Sequence, residues 1–180
     1  MKKSLLLIAV ATLCFAASEP IVSLASLRAV EASMNDKIRS NISDPYDLLG
    51  TARGTYLEGY GAVFSMELNL VLLSPLNLSP FKQTISDAEI VVLHDRKARK
   101  TDALKESLRG LMLNAGKSLP GLPNNERIVM GAFLFNYRWE NSRGLPHRIM
   151  LTAEKQKLID AINHHLSGAE LNAIFTEEEL

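Results

Sequence analysis

Cysteine is almost absent from this sequence: its 180 residues include one, Cys14, which lies in an apolar N-terminal run. Because that run has the features of a cleaved signal peptide, the mature chain is expected to contain no cysteine. This excludes a disulfide, a thiolate nucleophile and a cysteine metal site from the mature chain. Burial of apolar side chains must then stabilise the fold, and about 160 residues are enough for one domain with its own core.

Net charge is absent as well, because 20 Lys and Arg residues balance 20 Asp and Glu residues. Two of the basic residues, Lys2 and Lys3, lie in the N-terminal segment, so the mature chain is expected to be slightly acidic. A nucleic-acid surface usually comes with a clear net positive charge on its domain. The sequence therefore predicts no nucleic-acid partner.

Complete nucleotide-binding and hydrolase motifs are also missing. Gly116-Lys117-Ser118 resembles the end of a phosphate-binding P-loop, but the position of the required earlier glycine is Leu111. Gly59-Tyr60-Gly61 resembles the start of a dinucleotide fingerprint, but the third glycine position is Phe64, and a strand pattern follows instead of a helix. The sequence has no G-x-S-x-G nucleophile elbow and no H-E-x-x-H zinc motif. No cofactor is predicted.

The spacing of possible metal ligands gives little support for a metal site. Asp160 and His164 are four residues apart in a predicted helix, which places both on one face. A zinc site needs three or four ligands, and only the distant His94 and His147 remain to supply further imidazoles from elsewhere in the chain. A surface contact explains the pair better, and no metal site is predicted.

Residues 1–17 have the pattern of a secretory signal peptide, with two lysines, an apolar run over 5–15 and small residues near the expected cut. The apolar run is too short for a comfortable membrane span, and no second hydrophobic run is long enough to span a bilayer. The mature chain is therefore predicted to be exported, and to be periplasmic or secreted after cleavage. A lipid anchor on Cys14 is the alternative, but bulky Leu13 stands where lipoprotein signals have a small residue.

The best-patterned segment is 53–73, where apolar residues occupy every second position, as in a strand with one face on a core. Glu58-Gly59 is a predicted two-residue turn joining strands at 55–57 and 60–64, with a single bent strand as the alternative. The even positions predicted to face the core are Tyr60, Ala62, Phe64, Met66, Leu68, Leu70 and Leu72.

Periodicity and turn residues predict three helices and a second pair of strands in the rest of the chain. The helices are predicted over 19–41, 86–116 and 152–167, the strands over 127–140 and 147–152, and a loop over 74–84. Ser86 or Asp87 can cap the second helix, with Glu89 placed as in a capping box, and Gly116 is its predicted end. Thr152 is the predicted cap of the third helix, and Gly168 is its predicted end. The basic middle of the second helix is interpreted as a solvated face. The fold class is therefore α+β: one domain over 18–168 with an antiparallel sheet of about four strands in two hairpins. Three helices cover it, in the order α-ββ-α-ββ-α, and 169–180 is predicted to be an acidic mobile tail.

Four short motifs suggest a family. They are Arg53-Gly54-x-Tyr56, Gly59-Tyr60-Gly61-x-x-Phe64, Tyr137-x-Trp139-Glu140 and Gly144-Leu145-Pro146. Across most of the mature chain they resemble a group of uncharacterised exported proteins from soil bacteria. The resemblance implies export and a single domain, and it implies no particular activity.

The candidate catalytic residues are Glu67, Arg53 and Arg138 from the two predicted hairpins. If these side chains gather in a partly covered site, their pKa values shift and Glu67 can act as an acid or base. Glu140 belongs to the same polar group. A structural ion pair on a solvated sheet face is the alternative interpretation of these residues, and it is preferred.

Two aromatic residues, Tyr60 and Trp139, are predicted contacts for a ligand or partner, and they fit the rim of the core equally well. Glu58 and Asn69 are assigned to the same contact surface.

The preferred function is an exported non-catalytic module that binds an envelope protein partner or a small ligand in a bacterial cell envelope. The alternative is a small exported hydrolase that uses Glu67 with Arg53 or Arg138. A deep pocket that buries Glu67 would favour the enzyme. A flat polar face with a neighbouring apolar patch would favour the module.

Overall fold

The computed structural model describes residues 21–40, 44–72 and 85–180, which form one mixed sheet and four helices. The helices are α1 (Leu24–Arg39), α2 (Asp87–Ser118), α3 (Lys155–Asn163) and α4 (Gly168–Asn172). The strands are β1 (Asp47–Leu48), β2 (Arg53–Leu57), β3 (Gly61–Asn69), β4 (Arg127–Leu134), β5 (Arg148–Glu154) and β6 (Thr176–Glu179). The predicted signal peptide over 1–17 and the predicted loop over 74–84 lie outside the described residues.

The sheet has the strand order β1-β3-β4-β5-β6, and β2 also pairs with β3. β3 and β4 run parallel, whereas every other pair is antiparallel. The broad α+β class is confirmed, but the prediction of a four-stranded antiparallel sheet made of two hairpins is wrong. Alternation along a strand does not reveal the direction of its neighbour, and the long α2 returns the chain to the edge where β3 began. The two further strands, β1 and β6, are too short or too acidic to show a strand pattern.

The core lies between the helices and the even-numbered face of β3 and β4. Ala62, Phe64, Met66, Leu68 and Leu70 are all buried there, together with apolar side chains of α1, α2 and α3. The prediction for the even face is confirmed at these five positions.

Two members of the predicted core face are exposed instead. Tyr60 is 44% exposed because it lies in the turn before β3, and Leu72 is 51% exposed because it follows the end of the strand. The strand pattern in the sequence therefore extends past the strand at both ends.

The predicted hairpin is confirmed over the bent-strand alternative, because β2 pairs antiparallel with the first half of β3. Its loop has three residues instead of two: Leu57 pairs with Gly61, and the Tyr60 amide donates to the Leu57 carbonyl at 3.0 Å. Gly59 has a φ of +76°, the left-handed conformation that three-residue hairpin loops place on glycine.

The start of α2 follows the sequence and its end does not. Ser86 and Glu89 form the predicted capping box, which satisfies two amides at the helix start. Gly116, predicted to stop the helix, is buried inside it, and a Cβ there would lie 3.1 Å from the Leu158 Cβ on α3. The glycine therefore allows close packing of two helices, and α2 continues to Ser118.

The last part of the chain also departs from the prediction. Thr152 lies in β5 and does not cap a helix, since α3 begins at Lys155. Gly168 starts α4 and does not end a helix. The residues predicted as an acidic tail form α4 and the edge strand β6, which pairs with β5.

Gly61 provides a test of the parallel pairing. Its φ is +140°, and an added Cβ would collide with the Arg127 carbonyl oxygen and lie 2.7 Å from the Arg127 amide nitrogen on β4. We expect Gly61→Ala to lower the free energy of unfolding by at least about 3 kcal/mol. Gly110→Ala is the matched control, because its Cβ would enter open space on α2, and we expect a gain of about 0.5–1 kcal/mol. Urea titration measures both, and equal effects would contradict the close approach of β3 and β4.

Candidate functional site

Glu67 and Arg53 lie on the same face of the sheet. Arg53 pairs with Ser65, so Glu67 is one row further along the neighbouring strand, within reach of a long side chain. No ion pair joins Glu67 to Arg53 or to Arg138 in the described part of the chain. All three side chains are exposed, and Arg138 lies in a turn beyond the end of β4.

The predicted aromatic contacts, Tyr60 and Trp139, lie at opposite ends of the strands. Tyr60 precedes β3, and Trp139 follows the carboxyl end of the parallel strand β4. The two ends of the nine-residue strand β3 are about 26 Å apart. Glu58 is exposed in the turn beside Tyr60, whereas Asn69 is buried and its Oδ1 accepts a hydrogen bond from the Val71 amide at 3.3 Å. The structure therefore does not bring these four residues into one site.

Around Glu67 the structure shows an exposed strand surface, which we call the open face. It consists of the larger exposed or partly exposed side chains at odd-numbered positions of β2 and β3 and of those in register with them on β4 and β5. Asn69 and Val129 have the same orientation but are buried. Glu67 lies directly opposite Phe133 on the neighbouring strand β4, and Phe133 lies directly opposite Arg148 on β5. Phe133 and Leu57 are 46% and 48% exposed. The members of the open face are Arg53, Leu57, Val63, Glu67, Phe133, Arg148 and Met150.

At the carboxyl ends of β3 and β4, sequence reasoning named Glu140 but missed its partner, Lys97. Lys97 of α2 is 1% exposed, and its ammonium donates to Glu140, to the Asn136 Oδ1 at 2.9 Å and to the Phe135 carbonyl at 3.2 Å. The Glu140 side chain is 2% exposed, so this is a buried ion pair. Burial lowers the pKa of Lys97, and Glu140 offsets only part of that effect.

Lys100, one turn further along α2, holds the segment before β1. Its ammonium donates to the carbonyls of Asp44 and Pro45 at 2.9 and 2.8 Å, and lies 4.3 Å from the centre of the Tyr46 ring. Its Nζ lies 3.1 Å from an Asp44 carboxylate oxygen. Burial lowers the pKa of Lys100. Burial acts to raise the pKa of Asp44, but hydrogen bonds from Arg96 and Lys100 outweigh it and lower that pKa.

Lys97, Asn136 and Glu140 form what we call the carboxyl-edge cluster. The three N–H donors of the Lys97 ammonium all have acceptors there, whereas the Asn136 Nδ2 and the Glu140 Oε1 are buried without a hydrogen-bond partner. The cluster fixes the turn that carries an aromatic ladder. The rings of Phe135 and Tyr137 are edge to face with their centroids 4.9 Å apart, and Tyr137 stacks on Trp139 with a centroid distance of 5.5 Å.

A signal for the buried lysines was present in the sequence. Lys97 lies on the same helical stripe as Thr101, Leu104, Leu108 and Leu111, all of which are buried. A residue at that spacing faces the sheet whatever its charge. The interpretation of the basic stretch as a solvated face is therefore wrong at Lys97 and Lys100.

The described residues contain no group of three or more His, Cys, Asp or Glu side chains that could hold a metal ion. Asp160 accepts a hydrogen bond from Gln156 at 2.8 Å, and the His164 Nδ1 lies 2.8 Å from the Asp160 backbone carbonyl oxygen. None of the four described helices combines the length and apolarity that a membrane span requires.

Comparisons of the chain with protein-family models, with curated proteins and with solved structures find no match. The geometry of the described residues is therefore the basis for the functional proposal.

The buried ion pair can be tested by a double-mutant cycle. Lys97→Met leaves the Glu140 carboxylate buried without its cation, and we expect it to lower the free energy of unfolding by about 3–5 kcal/mol. Replacing both residues, as Lys97→Met with Glu140→Leu, removes the uncompensated charge and should cost less than the single change. Chemical denaturation measures both free energies.

The matched control is Lys157→Met, since Lys157 and Glu154 are 55% and 47% exposed and 3.8 Å apart. We expect its effect to stay within about 0.5 kcal/mol. If Lys97→Met changed stability as little as the control, Lys97 would not be a buried charge.

Proposed function

We propose that this chain is an exported, non-catalytic α+β module that binds a protein partner in the bacterial cell envelope through the open face. The observation that carries the proposal is the position of Glu67. It lies exposed on the strand surface, directly beside the half-exposed ring of Phe133. A polar face with a neighbouring apolar patch suits a binding surface.

The composition of the open face supports this use. Aromatic and arginine side chains contribute most of the binding energy in protein interfaces, usually at the centre of the buried area. Phe133 lies between Glu67 and Arg148 in one cross-strand row, so an apolar anchor has a charge of each sign beside it. Full burial of such a ring is worth about 1.5–3 kcal/mol, and the two flanking charges would select the partner's orientation.

The alternative, a small exported hydrolase that uses Glu67 with Arg53 or Arg138, has less support. General acid–base catalysis relies on a site that excludes water and perturbs the pKa of the acting group. Glu67, Arg53 and Arg138 are all exposed, and Arg138 lies beyond the end of β4.

Photocrosslinking in the intact envelope tests the proposal. We expect a photoreactive amino acid at Phe133 to capture a specific partner at least several-fold more efficiently than one at Ala98, which is exposed on α2. The captured partner, once purified, should bind Phe133→Ser at least tenfold more weakly than the native chain, since an anchor residue has been removed. Binding is measured by calorimetry.

The control is Val92→Ser, which removes an exposed apolar side chain of α2 and should leave affinity unchanged. The proposal would be overturned by equal capture from both positions. Hydrolysis of a model ester or peptide substrate that Glu67→Gln abolishes would favour the alternative enzyme. Recovery of the chain in the cytoplasmic fraction would contradict the proposed export to the cell envelope.

A further inference from the structure

The strand β6 is attached to the sheet without apolar side chains of its own. It pairs antiparallel with β5, from Thr176 opposite Thr152 to Glu179 opposite Ile149. All four of its residues are exposed. Since burial of apolar area is the main stabilising term in a packed strand, β6 must depend on backbone hydrogen bonds and on charge.

The charge comes from two residues of α2, Lys105 and Arg109, which we call the basic pair. Lys105 forms ion pairs with Glu179 and, at 3.0 Å, with Glu177, while Arg109 donates to Glu177 at 2.6 Å. Burial acts to raise the pKa of Glu177, but its contacts with Lys105 and Arg109 outweigh burial and lower it. The two acidic positions are two residues apart, so both point to the helix side of the sheet, where the basic pair lies.

Within the basic pair, Arg109 also donates from Nη1 to Glu106 on its own helix at 2.5 Å, and it still has one unused donor. The Nε of Arg109 is buried and has no hydrogen-bond partner. A guanidinium binds a carboxylate best through two parallel N–H groups, so β6 leaves part of this recognition unfilled. The side chains of Lys105 and Arg109 are only 15% and 14% exposed, which favours strong pairing with an acidic strand.

The connection to β6 packs against the core through only two partly buried residues, Ile174 and Phe175. His165 has a φ of +53° and Gly168 a φ of +55°, so two left-handed residues occur within four positions. For a histidine this conformation is strained. α4 has five residues and no side-chain cap. Segments with few buried apolar contacts open locally at low free-energy cost, so β6 can leave β5 while the rest of the fold stays intact.

We propose that the edge of β5 together with the basic pair is an acceptor site for an extended acidic segment of another polypeptide, and that β6 is its intramolecular competitor. The incoming segment would add a strand to β5 through backbone hydrogen bonds. Acidic residues at positions i and i+2 would contact Lys105 and Arg109, as Glu177 and Glu179 do. This site is separate from the open face, so either proposal can fail without the other.

The advantage of β6 over a free peptide can be expressed as an effective concentration. A tethered segment reaches its site at an effective concentration on the order of millimolar, so a free peptide of the same sequence competes poorly with β6. Reversing the charges of β6 should release it and expose the acceptor. This variant keeps the full chain, because the two substitutions change only exposed side chains of β6.

The experiment uses two full-length variants and two labelled peptides. The β6-reversed variant is Glu177→Lys with Glu179→Lys, and the groove-reversed variant is Lys105→Glu with Arg109→Glu. The acidic peptide is FTEEEL, the sequence of residues 175–180, and the matched control peptide is FTKEKL. Fluorescence anisotropy measures binding. We expect the acidic peptide to bind the β6-reversed variant at least tenfold more tightly than the native chain, and more weakly as salt is raised.

The control peptide should bind the groove-reversed variant, and a fourfold variant carrying all the changes should bind neither peptide. Acidic peptide that binds no variant, or binds both reversed variants equally, would overturn the proposal. Should a variant fail to fold, hydrogen exchange of the native chain decides: millimolar acidic peptide should accelerate exchange in β6, and no acceleration refutes the site. Light scattering should show a native monomer, because a dimer with exchanged β6 strands would make a second copy the occupant.

Discussion

Two parallel neighbouring strands cannot be joined by a tight turn, so the pairing of β3 with β4 requires α2 as a crossover. The 32 residues of α2 span about 48 Å, which is longer than either strand. Its first half therefore reaches the carboxyl ends of the strands, where Lys97 and Lys100 are buried, and its last turn reaches the opposite edge. The leucine stripe between these ends packs on the sheet. Both proposed binding surfaces depend on this arrangement, because the helices cover one face and α2 lies beside the edge of β5.

Buried lysines connect the helices to the loops of this fold. Lys155 has no carboxylate partner; its ammonium donates to the carbonyls of Leu119, Pro120 and Leu122 at 2.9, 3.3 and 2.6 Å. Burial lowers its pKa, as it does for Lys97. An ammonium buried without partners costs several kcal/mol, and saturation of its three donors offsets that cost. Each lysine thereby fixes an irregular segment through several hydrogen-bond acceptors at once.

The sequence predicted those features that depend on local pattern. Alternation in β3 identified the buried face at Phe64 and its neighbours, and Ser86 with Glu89 identified the start of α2. It did not predict the parallel pairing, because strand direction depends on where a distant segment returns. It also missed the burial of Lys97, since a charged residue is expected outside unless its partner is known, and Glu140 lies 43 positions away. Of the predicted site residues, Glu67 and Arg53 lie exposed on the odd face, whereas Arg138, Trp139 and Glu140 lie in a turn beyond β4. The position of that turn depends on tertiary packing, which periodicity does not encode.

The strand β6 shows why acidic composition alone does not define a tail. Without β6, β5 would present a row of unpaired amides and carbonyls, which is a template for unwanted strand addition. A short acidic strand covers that edge, and the basic pair on α2 neutralises it. Because no apolar side chain of β6 is buried, the protection is specific in charge yet weak in free energy. An edge covered in this way is closed to neutral and basic segments and remains open to a competing acidic one, so protection against aggregation and selective recognition can arise from the same contacts.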